Sequence, residues 1–128
     1  MEEEKTNIKF QTYDAGKVWE GIIFDCFGNL YVNMGNLMKA EEFFLKSLKI
    51  RQIAFGENDI NVSASLNNLG NLYFNTGNLI KAEDFYSKSF KIEQNILTEN
   101  HSLIALSLSN LASVYCVQGI SRNLKDFI

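Results

Sequence analysis

Leu69-Gly70-Asn71-Leu72-Tyr73, followed by Gly77-Asn78-Leu79 and Lys81-Ala82-Glu83, decides the fold, because the chain has already spelled it once. The earlier copy reads Gly28-Asn29-Leu30-Tyr31, Gly35-Asn36-Leu37 and Lys39-Ala40-Glu41. It lies about 42 residues upstream, an offset within the range of helical repeat arrays. The match continues through Lys46-Ser47 and Lys88-Ser89, Ile50 and Ile92, Gln52 and Gln94, and Glu57-Asn58 and Glu99-Asn100. A third copy opens on schedule with Asn110-Leu111-Ala112, Tyr115 and Gly119. It then departs, since Leu124 stands where Ala40 and Ala82 stood.

Each copy reads as two helices. In the second, Val62, Leu66, Leu69 and Tyr73 recur at steps of four, three and four, one face of a helix. Gly70 sits among them; a helical Gly costs about 1 kcal/mol against Ala, which is tolerable where a neighbouring helix comes very close. Gly77 accepts the left-handed backbone that ends a helix, and Asn78 is a good N-cap for the next. That next helix carries Leu79, Ala82, Phe85, Tyr86, Phe90 and Ile92 as an apolar face. Its acids, Glu83 and Asp84, come early and its bases, Lys88 and Lys91, come late, as the helix dipole favours. Asp84 and Lys88 are spaced for an ion pair along one face. Asn36, Glu42 and Lys46 repeat the design in the first copy.

The rest of the composition narrows the function. Of the 128 residues, 46% are hydrophobic and 21% charged, and proline is absent, so the chain leans towards packed helix. With a net charge of -3 and no Lys/Arg run, it offers neither the basic stripe that neutralises nucleic-acid phosphates nor a polybasic membrane patch. No run of about 18 apolar residues is present, so no membrane span is expected. The acidic start, Glu2-Glu3-Glu4-Lys5, does not look like a secretory signal, and the expected compartment is cytoplasmic. Cys26 and Cys116 are far apart and read as reduced thiols. Asn61-Val62-Ser63 and Asn100-His101-Ser102 match the glycosylation pattern by chance on this reading.

The residues Leu66, Leu69-Gly70, Tyr73, Ala82 and Tyr86 resemble the tetratricopeptide repeat family, with Gly28, Tyr31, Ala40 and Phe44 matching in the first copy and Leu108, Leu111-Ala112 and Tyr115 in the third. The long repeat, its Leu66-Asn67-Asn68-Leu69-Gly70 stretch and the spacer Gly56-Glu57-Asn58-Asp59 are similar to the kinesin light chain subclass. His101 stands where that subclass has His in its inter-repeat loop, without the Pro that usually follows. The resemblance implies an all-α solenoid of antiparallel helix pairs in a right-handed superhelix, about two and a half repeats long. Residues 1–16 are expected to be an acidic, irregular segment. Residues 17–128 form the repeat domain, with repeats at about 22–63, 64–105 and a partial 106–128. Trp19, Ile22 and Ile23 suggest a first helix that begins near them and packs inward.

In this family the first helix of each repeat lines a concave groove that binds peptides or partner helices. Carried over by position, the groove residues are Asp25, Asn67 and Ser109, then Asn29, Asn71 and Ser113. A turn further come Val32 and Asn33, Phe74 and Asn75, and Cys116 and Val117. An Asn amide both donates and accepts, so a ladder of Asn67, Asn71 and Asn75 can grip a peptide backbone whatever its side chains, with Phe74 as an apolar anchor. The family's clamp for terminal carboxylates uses Lys where Asp25, Asn67 and Ser109 stand, so a neutral or basic peptide is expected rather than an acidic tail.

No catalytic constellation is visible. His101 is the only histidine, it lies about four helical turns from Cys116, and no His, Cys and carboxylate set has metal-ligand spacing. No cofactor or metal is expected. The leading expectation is a protein- or peptide-binding module. The alternative is an assembly segment or a piece of a longer array, in which open ends such as Phe127 and Ile128 mediate homo-oligomerisation.

Overall fold

The computed structural model describes the backbone of residues 2–98 and 101–127, and the side chains of residues 16–98 and 101–120. Its helices run in chain order as α1 (Glu2–Asn33), α2 (Leu37–Phe55), α3 (Ile60–Thr76), α4 (Leu79–Ile96) and α5 (Ser102–Phe127). Each packs on the next, and α1 also touches α3, so helices α1/α2 and α3/α4 stack as successive hairpins with α5 closing on α4.

Local chemistry sets the hairpins. Gly35 and Gly77 have φ of 79° and 84°, in the region that L side chains avoid, and stop α1 and α3. The next residue in each case is the cap: Asn36 Oδ1 accepts from Lys39 N and Asn78 Oδ1 from Lys81 N, both at 3.2 Å. The third copy has Gly119 but no following Asn, since Ile120 stands there, and α5 passes straight through to Phe127. The glycine permits a stop; without the cap to start a new helix, the old one continues. The loop before α5 ends at His101, whose Nδ1 accepts from Leu103 N at 3.1 Å, so the lone histidine starts a helix.

The close approach expected at Gly70 is present. A Cβ there would lie 2.5 Å from Tyr86 Cδ1, and one at Gly28 would lie 2.5 Å from Phe44 Cε1. An aromatic ring from the second helix of each repeat thus lies on bare backbone of the first. Ala40, Phe44, Leu69, Leu72, Ala82 and Tyr86 are at the centre of the continuous core.

Two expectations about the start of the chain are corrected. The backbone is helical from Glu2, so residues 2–16 are not irregular; a proline-free stretch gives the helix no reason to stop, and it extends past Gly16. Trp19, Ile22 and Ile23 do not pack inward: Trp19 is 67% exposed, and the other two are exposed as well. The helix turns Gly21, Phe24, Gly28 and Tyr31 towards α2 instead. The side chains of Phe127 and Ile128 lie outside the described residues.

Candidate functional site

The inner helices α1, α3 and α5 carry the candidate binding residues, and a buried polar seam holds those helices in register. Ser47 Oγ donates to the Gly21 carbonyl at 3.0 Å and lies 3.3 Å from Ser65 Oγ. Arg51 Nη1 reaches Asp25 Oδ2 at 2.7 Å and Ser65 Oγ at 2.7 Å, so α2 ties its own repeat to the next. Arg51 Nε and Asp25 Oδ1 have no partner, which makes this a single-contact ion pair rather than a bidentate one.

One repeat later the same position is Glu93, of opposite charge and equally buried. Its carboxylate accepts from Ser63 at 2.8 Å, from Ser89 at 3.4 Å and from Ser107, linking α3, α4 and α5. Ser89 Oγ also donates to the Ser63 carbonyl at 3.1 Å. One repeat joins its helices through a guanidinium, the other through a carboxylate. Sequence reasoning missed this seam. The available signal was charge inside otherwise apolar faces at the repeat spacing, Arg51 with Glu93, accompanied by Ser47 with Ser89 and Ser65 with Ser107.

The seam changes the role of Asp25. It was expected in the groove, standing where the carboxylate clamp has Lys, but its side chain is largely buried and held by Arg51. A paired charge exerts little field outwards, so this feature favours neither a basic nor an acidic ligand.

A second set of contacts lies along one edge, ring stacks within each repeat and a hydrogen bond between repeats. Tyr31 stacks on Phe43 at 5.5 Å and 8°, and Tyr73 on Phe85 at 5.4 Å and 16°, with Lys39 and Lys81 above the tyrosine rings. The Tyr73 hydroxyl donates to Glu41 of the preceding repeat, and burial, with Glu41 second, pushes it up to about 12. Tyr86 is pushed to about 12 by burial, and its hydroxyl donates to Asn71 Oδ1.

The remaining candidates divide by how far the fold already uses them. Asn67 Oδ1 accepts from Asn110 Nδ2 at 3.1 Å, which brings the surfaces of α3 and α5 together. Asn71 is exposed, and the Tyr86 hydroxyl takes its carbonyl, which leaves its NH2 for an outside acceptor. Phe74 and Val32 are half-buried against the core, so neither projects as a free anchor. Ser113 Oγ donates back to the Ser109 carbonyl at 3.0 Å. Asn29, Asn33, Asn75, Ser109, Ser113, Cys116 and Val117 are exposed. Among the described residues no cluster of three or more His, Cys, Asp or Glu is placed to hold a metal ion.

Charge is sorted between the layers. Helix α3 contains no Asp, Glu, Lys or Arg; neither do residues 102–120 of α5; and residues 21–33 of α1 contain only Asp25. Charges are dense on α2 and α4, where Glu42–Lys46 and Asp84–Lys88 pair at 3.3 and 3.0 Å, and on the part of α1 before Gly21, where Lys17 pairs with Glu20 at 3.0 Å. One consequence corrects the expectation of no membrane-length stretch. Ser102–Ile120 is long and apolar enough to cross a bilayer by length and composition, because its Leu, Ile and Val are interleaved with uncharged Ser and Asn. In this fold Ile104, Ser107, Leu111 and Val114 of that stretch are buried.

The Tetratricopeptide repeat family model matches residues 21–92 and 61–119, which together include the end of α1, all of α2 to α4 and most of α5. The crystal structure of BtubC (BKLC) from P. vanneervenii superposes with a TM-score of 0.73 over 77% of this chain at 23% identity, a likeness of fold. The chain spans 40% of the length of that protein. No curated protein matches significantly.

Proposed function

Because the chain belongs to the tetratricopeptide repeat family, whose repeats generally mediate protein–protein interaction, we propose that the outward faces of α1, α3 and α5 bind an extended peptide or a partner helix. One observation carries this reading. Asn29, Asn33, Asn71 and Asn75 are exposed on α1 and α3, helices whose other faces are buried, and Asn has poor helix propensity. Their amides can donate to and accept from a peptide backbone. Binding rather than catalysis also fits the single histidine, which is used in starting α5. The free cysteines Cys26 and Cys116 suit a reducing, cytoplasmic setting. A displayed peptide library selected in parallel on the native chain and on Asn29→Lys/Asn75→Lys tests the proposal. Peptides enriched by the first and lost by the second support it; an identical set from both sinks it.

A second reading, self-assembly, has its own observation. Leu66 and Leu108 are equivalent, yet they are 5% and 50% exposed; Tyr73 and Tyr115 are 8% and 52% exposed. The face of α5 equivalent to the one α4 covers on α3 is open, and a second copy could cover it. Sedimentation equilibrium of the native chain and of Leu108→Glu decides between the readings. A dimer dispersed by the substitution favours assembly; a monomer in both favours the adaptor.

A further inference from the structure

The sorting of charge between the layers says what kind of segment the binding face takes. Equivalent positions on the inner helices form rows across the repeats. Ile22, Ala64 and Leu106 make an exposed apolar row. Two helical turns along, Asn29, Asn71 and Ser113 make an exposed amide and hydroxyl row. The Asn67–Asn110 hydrogen bond holds the α3 and α5 parts of this surface edge to edge, and α1 touches α3. Residues 21–33 of α1, the whole of α3 and residues 102–120 of α5 carry a single carboxylate, Asp25, which Arg51 already neutralises.

We infer that the occupant is an uncharged, extended peptide segment, apolar where it meets Ile22, Ala64 and Leu106 and held through its backbone by Asn29, Asn71 and Ser113. This rests on the groove reading above. An acidic or basic side chain laid on this surface loses hydration and finds no counter-charge, a penalty that burial makes severe. An apolar side chain on the first row gains about 25 cal/mol per Å² of apolar surface covered. Packed helices stand about 8–10 Å apart and an extended chain rises about 3.3 Å per residue. The segment therefore advances roughly three residues per inner helix, and its apolar anchors recur at about that spacing.

The test is a random phage-displayed library of peptides of about twelve residues, selected on the full chain and rebound in about 50 mM and about 500 mM NaCl. Expected winners are depleted in Asp, Glu, Lys and Arg relative to the input, carry apolar residues about three apart, and keep their affinity at high salt. They lose about tenfold or more on Ala64→Arg and, without any added charge, on Leu106→Ser. Both positions are exposed, so the fold should tolerate them, and circular dichroism confirms it. Winners rich in one sign of charge, or released by salt, that still fail on both variants overturn the uncharged class and leave the groove standing. No winners, or winners indifferent to both substitutions, overturn the groove itself.

Discussion

Tyr73 donates its hydroxyl to Glu41 Oε1 at 2.9 Å, from the second repeat back to the first, and Tyr115 makes the same bond to Glu83 at 3.0 Å, from the third back to the second. The contact recurs because the repeat recurs, and it fixes how one hairpin sits on the next. Tyr73→Phe removes it and leaves the buried ring in place. A loss of about 0.5–1.5 kcal/mol is expected, read from urea unfolding. Tyr115→Phe, on the exposed side, should lose less.

The same hydroxyl makes stability depend on alkaline pH. Tyr73 and Tyr86 titrate at about 12 when folded, against 10.0 ordinarily. A raised folded value means that the native state holds its proton more tightly than the unfolded chain does. The contribution is fully present below pH 10 and is lost as pH rises from 10 towards 12. Melting temperatures across that range should fall for the native chain and fall less steeply for Tyr86→Phe. Equal slopes would mean that the folded chain does not hold the Tyr86 proton more tightly than the unfolded one.

Gly70→Ala should destabilise although Ala is the better helix former. The new Cβ would lie 2.5 Å from the Tyr86 ring, whose hydroxyl is held by Asn71, so the ring cannot simply turn away. Overpacking costs about 1–3 kcal/mol, against about 1 kcal/mol of helix propensity gained. Gly119→Ala is the control. Nothing lies within 4 Å of its Cβ position and its φ is not positive, so it should stabilise by about 0.4–1 kcal/mol. Thermal unfolding of the two variants should move in opposite directions.

Arg51→Ala leaves Asp25 with a largely buried, unpaired charge and Ser65 without its donor. The expected cost is about 3–5 kcal/mol. Asp25→Asn/Arg51→Met, which removes both charges, should lose clearly less than the single variant. A double-mutant cycle in denaturant measures the difference; additive losses would show that the pair is not coupled.

Large-to-small substitutions should separate the covered repeat from the open one. Leu66→Ala in the core is expected to cost about 2–5 kcal/mol, whereas Leu108→Ala, at the equivalent but half-exposed place, should stay within about 0.5–1 kcal/mol. Comparable losses would mean that α5 is covered in solution, which a mass measurement would then have to explain.

The repeat, its helix stops and caps and the close helix approach at Gly70 were legible in the chain, because each follows from residue spacing or from the backbone freedom of a single residue type; that the approaching group is the Tyr86 ring came only from the packing. Which asparagines are engaged was not legible. Asn67 and Asn71 read alike with Asn29, Asn33 and Asn75, yet one bonds Asn110 across the repeat and another bonds Tyr86.

The sequence by itself determined the architecture, since a pattern repeated after 42 residues admits one hairpin stacked on its like. Tertiary structure alone decided which buried charges meet which partners. Asp25 and Arg51 lie on different helices, 26 residues apart, and neutralise each other only once α1 and α2 have packed. Glu93 finds its donors on α3 and α5 as well as on its own helix. Helical periodicity reports the face a residue occupies; the partner waiting opposite belongs to another helix, and only packing brings the two within hydrogen-bonding distance.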